Sequence, residues 1–478
     1  MKISAHAVGR MVGTWQEGPG PAHQRLSDRL RLLILDGRLC LGAALPGERD
    51  LATALGTSRT TVGAAYRTLV DHGYLETRER ARATVRLPHE DAPAGRRAGT
   101  DAEAEGVDLS FAAPPAPPEV LHAAFATALE RLPLHFERHG YDRYGTAELR
   151  EAVAGWYGCR GLPTSPDHVM ITSGAQHAIG LLARTLLSPR DKVVIDHPTY
   201  PHAIRAFTEA RARLLPVAVG PAGWDVPQLL AAARTAQLAY LIPDFHNPTG
   251  MFMSADVRRS LRPACPTIID ETLADLDLDL DLDLGLEATA PDPAAEPFAA
   301  THPTAISVGS VSKSIWGGLR IGWIRAVPAL LERVARARPA TDLGTPVVEQ
   351  LATAVLLNGG QTRRPEALHQ LRAQQDALLA ALAEHLPEVH APRAAGGVTL
   401  WARFPEPVAS RLAAVAPDHG VTIAAGPRFG VGGAFERHVR LPYTLPAPRL
   451  TEAVRRLAAA HRALTAGATG MHRPAPVA

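Results

Sequence analysis

Three things are scarce in this chain of 478 residues. No apolar run approaches the roughly 20 residues that a membrane-spanning helix needs, so a helical membrane protein is not the expected class. Cysteine occurs only as Cys40, Cys159 and Cys265, odd in number and far apart. Neither a disulfide framework nor a zinc knuckle is therefore expected, and no metal site. Met1 to Gln16 also lacks the continuous apolar core of a secretory signal, which places the expected location in the cytoplasm. Lysine is the third scarcity: of 50 basic residues only Lys2, Lys192 and Lys313 are lysines. A GC-rich coding sequence has that effect by itself, but it leaves an internal lysine as a candidate for amine chemistry.

What is present is an ordinary globular balance, 46% hydrophobic and 21% charged, in a chain long enough for two or three domains. Charge is segregated along it. Residues 1 to 88 hold 12 arginines and Lys2 against 8 acids, a net of +5, and the remaining 390 residues carry −3. A small basic module on a slightly acidic body points to a polyanion partner for the first part only, since phosphate neutralisation dominates nucleic-acid affinity.

Within the basic module Leu26, Leu30, Leu33 and Ile34 fall at helical spacing over Ala22 to Asp36, with Gly37 as the stop. A short helix is expected from Glu48, with Leu51 and Leu55 inward and Gly56 ending it. Thr57 or Ser58 then caps a third helix with Val62, Tyr66 and Leu69 on one face. Tyr74 to Leu87 reads as a two-stranded wing with Arg78, Arg80 and Arg82 at its tip. In such a helix-turn-helix the second helix presents short polar and basic side chains to DNA. Ser58, Arg59, Thr60 and Thr61 are the candidates, with Arg49 placed to hold the backbone; Arg67 reads as a solvated face. Residues 88–107 lack apolar periodicity and are expected as a solvated linker that tethers the module loosely.

From residue 108 to 465, strand-like runs at Lys192 to Asp196, Leu238 to Pro243, Thr267 to Asp270 and Ala305 to Val308 alternate with Ala/Leu/Arg helical stretches. This predicts an α/β domain with a mostly parallel sheet. The alternating Asp/Leu run Asp275 to Leu284 lacks the glycine and glutamate of a calcium loop and reads as a low-complexity surface insertion. Residues 466–478 read as a disordered tail.

The chemistry concentrates in this second part. Lys313 lies in Ser310-Val311-Ser312-Lys313, ahead of Gly317-Gly318-Leu319-Arg320. A lysine that forms a Schiff base needs a partly desolvated site, and a nearby arginine can hold a cofactor phosphate. Thr172-Ser173-Gly174-Ala175-Gln176 precedes a helical run, so its N–H groups can cradle a phosphate. Tyr200 can stack on a flat ring, Asn247 in Asn247-Pro248-Thr249-Gly250 can donate to a ring oxygen, and Asp270 ends an apolar strand where it suits a pyridinium nitrogen.

The segment from Leu45-Pro46-Gly47-Glu48-Arg49-Asp50-Leu51-Ala52 through Gly73-Tyr74-Leu75 resembles the winged helix of the GntR regulators. The motifs around Lys313, Asp270 and Asn247 resemble a fold-type I pyridoxal-phosphate domain of the class I aminotransferase kind, with a smaller C-terminal subdomain. The order of the two parts is similar to that of the MocR regulators. The resemblance implies that Lys313 bonds the cofactor, Asp270 holds its ring nitrogen and Asn247 meets its phenolic oxygen. It gives the phosphate to Ser173, Gly174, Ala175, Ser310, Ser312 and Arg320, the ring stack to Tyr200, and a substrate carboxylate to Arg440. It also implies a homodimer in which Tyr141 or Tyr144 reaches the neighbouring subunit's phosphate. One departure is Leu273, where the family usually has a tyrosine, three residues after the aspartate.

These features imply a DNA-binding transcriptional regulator that senses pyridoxal phosphate, alone or joined to an amino acid or amine. The alternative is an aminotransferase with an auxiliary DNA-binding domain. Leu273 favours the first, and Asn247 with Arg440 the second.

Overall fold

The computed structural model describes residues 3–17, 20–35, 38–40, 42–77, 82–86, 106–278 and 296–469. The basic module is built from α1 (Ala5–Val12), α2 (Ala22–Leu35), α3 (Glu48–Leu55), α4 (Arg59–Asp71) and a hairpin of β1 (Leu75–Glu76) and β2 (Thr84–Val85). Leu26, Leu30 and Leu33 of α2 meet Leu51, Leu55, Val62, Tyr66, Leu69, Leu75 and Val85 in one buried core. Gly56, at φ 61°, closes α3 in the left-handed region that glycine adopts without strain. Ser58 rather than Thr57 caps α4, its hydroxyl accepting the Thr61 N–H at 3.1 Å. The sequence reading omitted α1. Its signals were present but short: Ser4 accepts the Ala7 N–H, and Val8 and Val12 at i, i+4 are buried against the other helices.

The expectation of a loose tether is overturned. Helix α2 packs against helix Ala409–Val415 of the C-terminal part, and Leu32 enters that part's own core. Arg29, almost fully buried, ion-pairs with Glu436 at 3.0 Å. Most of the expected linker lies outside the described residues, but Val107, assigned to it, is buried in β3 (Val107–Asp108), paired with Val421.

Among the described residues eight strands form the main sheet: β4 (Val169–Thr172), β5 (Lys192–His197), β6 (Arg213–Gly220), β7 (Gly223–Trp224), β8 (Leu238–Leu241), β9 (Thr267–Asp270), β10 (Ile306–Ser310) and β11 (Gly322–Arg325). Their order is β4-β11-β10-β9-β8-β5-β6-β7. From β10 to β6 every pairing is parallel; β11 runs antiparallel to both β10 and β4. The mostly parallel sheet is therefore as expected. Strands β4, β8, β9 and β10 are buried along their whole length, because helices cover both faces of the sheet. Since β4 points the same way as β10, strands β4, β5, β8, β9 and β10 all deliver their carboxyl ends to one edge. That edge is where open α/β sheets hold their ligands.

A smaller C-terminal subdomain adds β12 (Thr399–Arg403), β13 (Val421–Thr422), β14 (Ala424–Ala425) and β15 (His438–Pro442), of which β12, β15 and β14 make an antiparallel sheet. Two expectations are corrected here. The start of the Asp/Leu run is not on the surface: Leu276 and Leu278 are buried in this subdomain's core, and Asp275 accepts from Trp156 and Arg363. Residues 279–295 lie outside the described set. The last helix continues to Thr469, past the expected start of the tail, and residues 470–478 are not described. Among the described residues no helix is long and apolar enough to cross a membrane, and no group of metal-ligating side chains gathers.

Truncating Leu30, fully buried in the module's core, to alanine is expected to cost about 2–5 kcal/mol there. Hydrogen exchange should then accelerate across α2 and α4 while the main sheet keeps its protection. Equal loss of protection in both regions would contradict separate cores.

Candidate functional site

A cavity of about 170 Å³ opens at the carboxyl edge of the sheet. Nine of the residues singled out from sequence line it: Ala175, Tyr200, Asn247, Asp270, Ser310, Ser312, Lys313, Arg320 and Arg440. They come from six different loops and strand ends. Leu273 lines it as well, so no tyrosine hydroxyl enters at that position.

Asp270 follows directly from the pairing of β9 with β10, which sets Val308 opposite it. It is buried, and one carboxylate oxygen accepts from the Tyr240 hydroxyl at 2.6 Å. The other accepts from the Thr272 N–H and hydroxyl at 3.1 and 2.7 Å. Burial raises its pKa, and these hydrogen bonds oppose the rise. Tyr240 was missed from sequence because it sits inside an apolar strand, where a tyrosine reads as packing.

Lys313 donates to the Ala112 carbonyl at 2.6 Å. Burial, and then Arg440 and Arg320, bring its pKa down to about 8 against the pull of Asp270. The amine is thereby half neutral just above physiological pH, the state a nucleophile needs. Arg440, on β15, is buried; burial lowers its pKa to about 10, its guanidinium donates to the Ser110 carbonyl, and it lies 5.2 Å over the Phe429 ring. Among the described residues its Nε finds no hydrogen-bond partner, and neither does Asn247 Oδ1. Ser110 and Ala112 carried no sequence signal, since they act through backbone carbonyls.

The anion end of the cavity lies where helix Ala175–Leu186 begins. Gly174 precedes it at φ 87°, and a Cβ there would stand 2.6 Å from Arg320 Nη2. Only glycine lets the guanidinium close over the helix start, where Arg320 also donates to the Ser173 carbonyl at 3.0 Å. Ser310 and Ser312 hydroxyls meet at 2.7 Å beside it. Ser173 and Gly174 do not themselves line the cavity. The Ser173 N–H is taken by His177 Nδ1 at 3.0 Å, and the Gly174 N–H by the Thr172 carbonyl, so the free donors are those of the helix's first residues. Gln176, quoted in the motif but given no role, lines the cavity.

This set fits pyridoxal phosphate. An anion subsite of helix start, hydroxyls and guanidinium stands with an amine of lowered pKa and a buried carboxylate, and Asn247 and Arg440 line the same space. Lys313 would attach the group, Asp270 would hold its ring nitrogen and Tyr200 its face. When bound, pyridoxal phosphate supplies an electron sink for an attached amino compound.

Tyr141 is not brought to this cavity. It is 64% exposed and lines a separate groove with Leu134, whereas Tyr144 packs half-buried under Arg150 and against the sheet. In the basic module Arg59 is exposed and paired with Glu48 at 3.1 Å. Arg82 stands 3.9 Å from Asp50, and Arg49 is exposed. The Thr60 and Thr61 hydroxyls both meet Ser58 Oγ, so Ser58 is engaged as a cap. Arg67, read as merely solvated, lines the groove between α3, α4 and the wing with Arg59 and Arg82. Arg78 and Arg80 lie outside the described residues.

Because Lys313 loses its proton near pH 8, attachment of added pyridoxal phosphate is expected to be about tenfold slower at pH 7 than at pH 9. Stopped-flow absorbance reads this directly, and Lys313→Ala should abolish the visible band at every pH. A rate independent of pH over this range would contradict the lowered pKa.

Residues 113–457 match the family model "Aminotransferase class I and II", and residues 22–85 match "Bacterial regulatory proteins, gntR family". A 2-aminoadipate transaminase of Thermus thermophilus is 32% identical, over 67% of this chain and 81% of its own length. The HTH-type transcriptional regulator YdcR of Escherichia coli is 29% identical over 87% of this chain and 94% of its own. Among solved structures, LysN, an alpha-aminoadipate aminotransferase of Thermus thermophilus complexed with N-(5'-phosphopyridoxyl)-L-leucine, is 29% identical. It superposes with a TM-score of 0.67, covering 77% of this chain and 96% of that one. The chain therefore belongs to the pyridoxal-phosphate-dependent class I and II aminotransferase family, joined to an N-terminal winged helix of the gntR type.

Proposed function

We propose that this protein is a DNA-binding transcriptional regulator of the MocR type, acting in the cytoplasm, that senses pyridoxal phosphate alone or joined to an amino acid or amine. The observation that carries the reading is the joining of two complete parts. A winged helix with Arg59 exposed at the start of α4 is packed onto a domain whose cavity keeps Lys313, Asp270, Asn247 and Arg440. Leu273 in that cavity withholds the hydroxyl that would adjust the phenolic oxygen, which favours holding a ligand over turning it over. A regulator built this way can respond only if the ligand binds one arrangement of the two parts better than another.

The winged helix would place the first turn of α4 in the major groove, with Arg59, Thr60 and Thr61 toward the bases and Arg49 and Arg82 toward phosphates. Arg59 must leave Glu48 to do so, at small cost because the pair is exposed. Assembly as a homodimer is supported by exposed apolar side chains, Leu134, Phe136 and Leu343, of which Leu134 lines the same groove as Tyr141. In a dimer formed through that face Tyr141, rather than Tyr144, is free to reach a partner's phosphate.

A second reading, an aminotransferase with an auxiliary DNA-binding domain, is favoured by buried Arg440 with its unpartnered Nε. Absorbance during single-turnover mixing with amino acids separates the two, since only the enzyme accumulates pyridoxamine phosphate.

Arg59→Ala should weaken binding to a specific promoter fragment by about 1–3 kcal/mol, with pyridoxal phosphate binding unchanged. Fluorescence anisotropy with labelled fragments reads the first and absorbance the second; undiminished affinity would remove α4 as the reading helix. Tyr141→Ala should raise the dissociation constant for pyridoxal phosphate in the dimer while leaving the sedimentation of the chain unchanged.

A further inference from the structure

The residues between β14 and β15, Gly426 to Arg437, touch both the cavity and the basic module. At one end the Thr199 N–H, beside Tyr200, donates to the Phe429 carbonyl at 2.8 Å. The Phe429 ring lies under the guanidinium of Arg440. The Val431 N–H is held by His197 Nε2 at 3.1 Å, and the His197 ring packs 4.6 Å from Phe435. A Cβ on Gly430 would stand 2.8 Å from that same imidazole nitrogen. Phe429 and Val431 thus lie directly behind Arg440 and Tyr200, two residues that line the cavity.

At the other end the same segment seats the module. Gly432 and Gly433, at φ 66° and 75°, run backbone to backbone against Gly13 at the end of α1. A Cβ on Gly433 would be 2.6 Å from Gly13 Cα and 2.8 Å from the Val12 carbonyl oxygen. Three residues on, Glu436 accepts from Arg29 Nη1 at 3.0 Å and from the Ser410 N–H and hydroxyl at 3.1 and 2.6 Å. Arg29 Nε donates to the Val12 carbonyl, so α1, α2 and this segment share one buried polar cluster. Arg38 adds a bond to the Pro427 carbonyl at 3.3 Å. A buried ion pair of this kind is stable only in its matched geometry, so the seat behaves as made or broken rather than as continuously adjustable.

We infer that the segment 426–436 is the element through which the cavity's occupant sets the position of the winged helix. Phe429 and Val431 take the input, and Gly433 with the Arg29–Glu436 pair gives the output. This rests on the regulator reading for its biological use, but the mechanical coupling stands on the contacts alone. His197 is on this account a positioning residue. It does not line the cavity and would act by holding Val431.

The test uses the full chain with two probes, pyridoxal phosphate and N-(5'-phosphopyridoxyl)-L-leucine, and amide hydrogen exchange as the readout. In the wild type each probe should slow exchange both in residues 426–436 and across α2, by several-fold, consistent with ordinary coupling energies. In Gly433→Ala and in the gentler Glu436→Gln, protection of 426–431 should persist, while the ratio of α2 exchange rates with and without probe falls to about one. Visible absorbance should show the cofactor still attached in both. Protection of 426–436 in the wild type with no response in α2 would overturn the inference, as would transmission to α2 undiminished in both variants. A wild type that transmits protection to α2 yet binds no promoter fragment specifically would support this route and remove the regulator reading instead.

Discussion

The register of β9 against β10 is the constraint on which the site depends. With Val308 opposite Asp270, the two strands end together, and the chain leaving β10 brings Ser310, Ser312 and Lys313 to the edge where Asp270 already stands. A shift of one residue would turn the carboxylate into the opposite face of the sheet, because side chains alternate along a strand.

The cavity's electrostatics follow from that placement. Three cations, Lys313, Arg320 and Arg440, share a small space with one buried carboxylate. Desolvation, then repulsion from Arg440 and Arg320, lowers the lysine's pKa, and the excess of positive charge favours an anionic ligand. The division of labour is visible in composition: arginine keeps its charge when buried and holds anions, whereas lysine yields its proton and supplies the nucleophile. A chain with only three lysines has kept one at the position where arginine could not serve.

The packing between module and body follows a different rule. It combines the packing of α2 and Leu32 on the C-terminal part with a close glycine contact and two ion pairs, Arg29 with Glu436 and Arg411 with Asp28. Gly13 and Gly433 allow a backbone approach that a side chain would block, and Arg29 bonds Glu436, the Ser410 hydroxyl and the Val12 carbonyl.

Local patterning determined most of the parts. The 3.6-residue spacing of Leu26, Leu30 and Leu33, the cap at Ser58, the apolar strand runs and the motifs around Lys313, Asp270, Asn247 and Arg320 were readable because each depends on neighbours in sequence. Tertiary structure decided what depends on distant partners. Tyr240 became a ligand of Asp270 through pairing of β8 with β9, and Ser110 and Ala112 met Arg440 and Lys313 through their carbonyls, which no side-chain pattern records. The start of the Asp/Leu run went inward because two of its leucines found a core to fill. The basic module, expected on a loose tether, was seated by an arginine whose partner lies some four hundred residues away. Sequence spacing reports which face of an element is apolar or charged, but the partner of that face is set by how the whole chain packs.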